Sequence, residues 1–225
     1  IILMHNIENH IDLMIDFLSK KQNPTILEFG VERGSSTKKF ISLAEKNSGK
    51  VFSVDITDCS EVSNSKSWEF LQSNDLNVDY VLDQFNEIKK NGVDLIFIDS
   101  CHEANHVQKL ISYYFAYLKE DGAIFVDDVD SFPLRLKKKI WNSIVYDLTL
   151  DSVKEFYYNN TENCSLKFFF NHKENGLAMI YKKNKFGTEP NKIKKIWNYN
   201  IIFKIIYPLL KKTSNLCKSI FKRKV

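Results

Sequence analysis

The sequence predicts an α/β fold: a doubly wound sheet, mostly parallel, that ends in an antiparallel hairpin and is followed by a basic amphipathic tail. Three observations predict it. Short apolar runs at 26–30, 51–55, 94–99 and 123–127 end on Gly30, Asp55, Asp99 and Asp127 and alternate with stretches of helical period, as repeated βα units do. Two later apolar runs, 166–170 and 177–181, flank a polar turn at 171–176, as in a hairpin. At 225 residues and 44% hydrophobic content, the chain can bury one ordinary globular core.

The elements follow in order. Over residues 6–20, Ile7, Ile11, Leu13, Met14, Ile15, Phe17 and Leu18 form an apolar stripe with Glu8, Asp12 and Asp16 opposite, so an amphipathic helix covers one sheet face. Strand 26–30, helix 35–47 and strand 51–55 come next, then a polar loop over 58–67, a strand at 68–73, a helix over 77–90 and strand 94–99. Helix 104–119, a turn at Asp121-Gly122 and strand 123–127 continue the alternation. After Asp130 the period changes, with one or two helices across 134–158 before the hairpin. There is no internal repeat and no low-complexity tract.

Charge is unevenly placed. From Lys185 onward there are 11 Lys/Arg against the single acid Glu189, whereas residues 1–184 carry 21 Lys/Arg against 27 acids. An acidic body argues against a nucleic-acid partner at its cleft. Cys59, Cys101, Cys164 and Cys217 show no C-x-x-C spacing, which suggests neither a zinc ribbon nor a disulfide framework and fits reduced thiols in the cytoplasm. No signal pattern and no apolar run of about 18 residues is present.

The stretch Ile26-Leu27-Glu28-Phe29-Gly30-Val31-Glu32-Arg33-Gly34-Ser35-Ser36-Thr37 reads as a nucleotide-cofactor loop. Gly30 and Gly34 permit a sharp turn and close approach of a ligand, and Ser35, Ser36 and Thr37 can cap the helix that follows. The pattern is E-x-G-x-x-x-G-x-S. It lacks the glycine spacing of a dinucleotide fingerprint, which points away from NAD and FAD. Asp55 ends the next strand roughly 20 residues on, where α/β nucleotide folds bond a ribose.

A second constellation carries the chemistry. Asp99 ends one strand and Asp127-Asp128 the next, so three carboxylates converge on the rim where such sheets bind ligands. Unpaired carboxylates that close raise one another's pKa unless a cation is present, and oxygen-only donors suit Mg²⁺, Mn²⁺ or Ca²⁺. The alternative is that Asp127 and Asp128 cap a loop or a helix. His102, three residues after Asp99, is a candidate general base, with His106 one helical turn further. Cys101 has no sequence neighbour that would activate it as a nucleophile and reads as filler.

These segments resemble class I S-adenosylmethionine (SAM) methyltransferases over residues 24–183, and such a resemblance implies a seven-stranded Rossmann-like sheet. Within that class, Phe97-Ile98-Asp99-Ser100-Cys101-His102-Glu103 and Ile124-Phe125-Val126-Asp127-Asp128-Val129 are similar to the F-I-D-x-x-H and D-D segments of metal-dependent sugar O-methyltransferases of the cephalosporin-hydroxylase-like group. The resemblance implies SAM and Mg²⁺ as cofactors, with Asp99, Asp127 and Asp128 as metal ligands and His102 or Asp99 taking a proton from a sugar hydroxyl. The chain departs from the commoner pattern at Ser100-Cys101, where Gly-Asp is frequent. On this reading Glu28 and Gly30 shape the methionine pocket, with Gly34, Ser35 and Ser36 along the loop. Asp55 holds the ribose, Asn74 and Asp75 meet the adenine edge, and Asp99 also belongs to the cofactor-binding set.

The expected organisation is therefore a methyltransferase domain at 1–184 and a tail at 185–225. The tail interleaves aromatic and aliphatic residues with lysines and is broken by Pro208. It reads either as an interfacial helix drawn to anionic lipid, placing the protein at the inner membrane face, or as a segment packed on the body or on a second subunit of a homo-oligomer. The expected acceptor is a glycan hydroxyl. The alternatives are a small acceptor, catechol-like or phosphoramidate, and a catalytically silent membrane-associated scaffold.

Overall fold

A computed structural model describes residues 9–131, 143–171 and 173–195. Its strands are β1 (Thr25–Phe29), β2 (Lys50–Asp55), β3 (Trp68–Gln72), β4 (Val93–Ile98), β5 (Leu118–Val126), β6 (Cys164–Phe169) and β7 (Leu177–Lys182). They form one seven-stranded sheet in the order β3-β2-β1-β4-β5-β7-β6. The first five pair in parallel, and β7 joins β5 and β6 antiparallel. The strand order reverses between β1 and β4, and it is outside the carboxyl ends at such a switch point that open α/β sheets bind ligands.

The helices are α1 (His10–Ser19), α2 (Ser35–Asn47), α3 (Val78–Gln84), α4 (Asn86–Asn91), α5 (Ala104–Tyr114) and α6 (Ser143–Asn159). Because strand side chains alternate between faces, Leu27 and Phe29 join the core beneath α3, α4, α5 and α6, while Ile26 joins the core beneath α1 and α2. Glu28 therefore points to the α2 side. The parallel strands are buried on both faces, which is why they read as continuous apolar runs.

Two expected elements differ. The helix expected over 77–90 is two short helices, broken at Phe85, whose ring is buried 4.9 Å from that of Phe52. The helix expected over 104–119 stops at Tyr114, passes through a 3₁₀ turn at Phe115–Tyr117 and becomes β5 at Leu118. Lys119 lies in that strand because its Nζ pairs with the buried Asp94 carboxylate at 2.8 Å. The expected turn at Asp121-Gly122 is instead an irregularity inside β5, where Val93 pairs with Leu118 but Leu95 with Ala123.

The chain divides into two compact units, Ile1–Ile193 and Lys194–Val225. Residues 185–193 pack onto the first: Gly187 N–H donates to the Ala116 carbonyl, Asn191 N–H donates to Asn160 Oδ1 and Ile193 lies against the core. The rest of the expected tail lies outside the described residues, as does the 134–142 part of the expected helical stretch. Among the described residues no helix is long and apolar enough to cross a membrane.

Candidate active site

The carboxyl ends of β1 to β4 open into a cleft of about 500 Å³, lined by the 30–36 loop, Asp55, Ser73–Asp75 and the stretch from Asp99 to His102. That volume suits a small-molecule ligand. Gly30 sits at its centre with φ +94°, and a Cβ there would lie 2.3 Å from the Asp99 carbonyl oxygen. Only glycine allows the ends of β1 and β4 to cross so closely. Gly34, also left-handed at φ +73°, is the N-cap of α2 and supplies no side-chain cap. The first N–H groups of a 13-residue helix are thus left for a ligand beside Ser35 and Ser36, as anion-binding loops leave them.

Two of the three residues expected to cap α2, Ser36 and Thr37, have another task. Ser36 Oγ and Thr37 Oγ1 donate to Glu28 at 2.5 and 2.8 Å, and Ser53 Oγ donates to it at 2.7 Å. Glu28 is 0% exposed and does not line the cleft. Of its three hydroxyl donors only Ser36 lines the cleft, because the alternation of β1 turns Glu28 toward α2. Burial pushes its carboxyl up to about 7 against the opposing pull of the three donors.

Asp55 lines the cleft, and its carboxylate accepts from the N–H groups of Val31, Glu32 and Thr57. Burial pushes this carboxyl up, but those backbone donors outweigh it and hold it below its ordinary value. It is therefore an ionised acceptor beside the loop. Asn74 and Asp75 line the β3 end of the cleft. Asp75 is only 6% exposed, and its carboxylate is taken by Ser100 Oγ at 2.6 Å and by His106 Nε2 at 2.9 Å.

The acidic rim stands at the β4 and β5 ends. His102 Nε2 lies 3.9 Å from Asp99 Oδ1 and 3.5 Å from Asp128 Oδ2. Burial, then the charges of Asp127 and Asp128, push the Asp99 carboxyl up to about 8. Asp127 Oδ1 meets His10 Nδ1 at 3.0 Å, and Asp128 Oδ1 accepts from Asn175 Nδ2 at 2.6 Å. Asp128 itself has φ +54°. Among the described residues no group of three or more His, Cys, Asp or Glu side chains is arranged to hold a metal ion. The donor set still fits a hard divalent cation in its chemistry, since carboxylate oxygens are the donors such an ion takes.

Several residues of the site carry no sequence signal of their own. Thr149 Oγ1 on α6 donates to the His102 carbonyl, and the His102 ring meets Tyr146 edge-on at 5.8 Å. His10, 5% exposed, reaches Asp127 from 117 residues away. Only the fold brings these together.

Comparison with known proteins follows the same geometry. Residues 27–129, just under half the chain, match a family described as a methyltransferase domain. The likeness to that family is thus confined to this segment. It runs from β1 through Val129 and so contains the glycine loop, Asp55, Asp99, His102, Asp127 and Asp128. No curated protein matches the chain in sequence. Among solved structures, a candidate caffeoyl-CoA O-methyltransferase from Staphylococcus aureus is 18% identical at a TM-score of 0.57, covering 81% of this chain and 86% of that one. The MycE methyltransferase of the mycinamycin pathway, solved with Mg and S-adenosylhomocysteine (SAH), is 17% identical at a TM-score of 0.57 over 88% of this chain. This chain spans 54% of the MycE length. A candidate rRNA-methylase from Clostridium thermocellum is 16% identical at 0.60, covering 80% and 99%. At these identities they show that the chain shares the fold of class I methyltransferases, and the fold class read from the sequence holds.

Proposed function

We propose that the protein is a SAM-dependent O-methyltransferase that acts, with a divalent cation, on a sugar hydroxyl of a glycan or glycoconjugate at the inner membrane face. The observation that carries the reading is the pairing of an adenosyl-sized cleft with His102 set between Asp99 and Asp128 at its mouth. The sugar acceptor rests on the likeness of the F-I-D-x-x-H and D-D segments to sugar O-methyltransferases, and the cation on the Mg in the MycE complex.

SAM, when bound, supplies the methyl group as a sulfonium electrophile. The 30–36 loop and Asp55 orient it, the Gly30 crossing lets it lie against the backbone, and His102 Nε2 takes the acceptor proton. Asp99, Asp127 and Asp128 are the residues that would hold Mg²⁺, which would supply Lewis acidity toward a hydroxyl. Asp128 also pairs with the imidazolium that His102 becomes, stabilising the transferred proton.

The test is calorimetry of the full chain with Mg²⁺ and with SAH, alongside methyl transfer to glycan acceptors before and after chelation. Both ligands should bind. Chelation should abolish turnover, and Asp99→Asn should lose Mg²⁺ binding while SAH affinity stays within a few-fold. Activity that survives chelation, with unchanged rates in Asp99→Asn, Asp127→Asn and Asp128→Asn, would remove the cation from the reading. Transfer to a catechol and to no sugar would favour a small acceptor.

A further inference from the structure

His106 stands apart from the residues that handle the proton, yet it lines the same cleft at the opposite end, with Ser73, Asn74 and Asp75. Its ring is fixed. Nε2 lies 2.9 Å from Asp75 Oδ1 and 3.0 Å from Asp75 Oδ2, and Asp75 is itself pinned by Ser100 Oγ and by Tyr114 Oη, which donates to the Asp75 backbone carbonyl at 2.9 Å. Tyr114 is fully buried, so the assembly is anchored in the core. A carboxylate only accepts hydrogen bonds, so Nε2 must be the protonated nitrogen. The neutral ring then carries its lone pair on Nδ1, which has no hydrogen-bond partner among the described residues.

The sheet order sets what that lone pair meets. With Asp55 at the end of β2 taking the ribose, an adenosyl base directed toward β3, which follows β2 in the sheet, would meet Ser73–Asp75 and His106, which line that end of the cleft. Asp75, expected from the sequence to meet the adenine edge, already accepts from Ser100 Oγ and His106 Nε2 on its carboxylate. We propose that His106 is the purine-reading residue: Nδ1, held as an acceptor by the Asp75 carboxylate, takes a hydrogen bond from the exocyclic amine of adenine and rejects a 6-oxo purine. This rests on the SAM reading above. A 6-keto oxygen placed at the same point would set acceptor against acceptor, leaving two desolvated lone pairs facing each other.

The experiment compares SAH with S-inosylhomocysteine, its 6-oxo analogue, by calorimetry on the full chain at pH 8. Wild type should bind SAH on the order of tenfold or more tightly than the analogue, the discrimination expected when a polar group is left unpaired. His106→Phe should keep the ring's shape and bring the two affinities to within about twofold. Asp75→Asn should weaken the discrimination, because Nε2 lies beside both carboxylate oxygens and an amide there, with one acceptor and one donor end, no longer fixes Nδ1 as the acceptor. His106→Phe with the wild-type ratio, or a wild type that binds both ligands equally, overturns the assignment while leaving SAM binding intact. A wild type that binds neither ligand overturns the SAM reading and this inference with it, and the wild-type comparison stands even where a variant fails to fold.

Discussion

At the scale of single residues, Glu28 and Gly30 show how one short stretch sets both the stability and the shape of the site. The folded Glu28 carboxyl titrates near 7 against an ordinary 4.5 because burial opposes its charge. Between those values the folded protein holds a proton that the unfolded chain has released, so this contribution to stability is present in full below pH 4.5 and is lost as pH rises through 7. The full swing is about 3 kcal/mol. Glu28→Gln should therefore flatten the fall in stability between pH 5 and 8. The flattening is partial, because Asp99, raised to about 8 by burial and its acidic neighbours, adds a slope of the same sign. Urea midpoints across that range decide it, and a variant with the wild-type slope would show that another group holds the proton. Gly30→Ala adds a Cβ 2.3 Å from a backbone oxygen at a left-handed φ. It should abolish SAH binding and cost about 2 kcal/mol or more, read by calorimetry and melting. Both residues were legible in the sequence as members of a loop. The inward turn of Glu28 was not, because it depends on which face of β1 meets α2.

At the scale of elements, the site is held by segments outside the glycine loop. α1 sends His10 to Asp127, and the β6–β7 turn sends Glu174 to the His10 backbone N–H at 3.0 Å. α6 fastens the His102 loop through Thr149. His10→Ala would leave Asp127 and Glu174 without the imidazole between them. Stability should fall by about 1–3 kcal/mol and methyl transfer should fall with it, while SAH affinity is unchanged because His10 does not line the cleft. Chemical unfolding and SAH calorimetry on the same variant check this, and weakened SAH binding would place α1 nearer the cofactor than the fold does. Periodicity made α1, α2 and the five parallel strands legible, since each buries one stripe or one continuous run. It could not show that Phe85 breaks a helix to pack on Phe52, or that Lys119 draws the end of a helical period into β5 through Asp94. Those outcomes are decided by partners 33 and 25 residues away, and a local pattern carries no trace of them.

At the scale of the whole molecule, charge separates a −6 body from a +10 segment that begins at Lys185. Residues 185–193 belong to the body by their contacts, so any membrane attraction must be sought beyond them. The remaining segment keeps nine Lys/Arg from Lys194 to Lys224, with Trp197, Tyr199, Phe203, Tyr207 and Phe221 among them and no acid. Basic residues near an anionic surface contribute about 1 kcal/mol each, and aromatic side chains settle at the headgroup level. The attraction is screened within about 10 Å at 0.1 M salt. The full chain should therefore co-sediment with vesicles containing anionic lipid, less so as salt rises, and hardly at all with neutral ones. A chain ending at Lys195 should lose this binding but keep its melting temperature and its SAH affinity, since the cut spares Asn191 and Ile193, which hold the end of the body in place. A cut at 190 would remove those contacts and confuse membrane binding with loss of packing. If the chain ending at Lys195 pellets with anionic vesicles as the full chain does, the surface lies on the body. If it melts lower instead, the segment packs on the fold or on a second copy rather than on lipid.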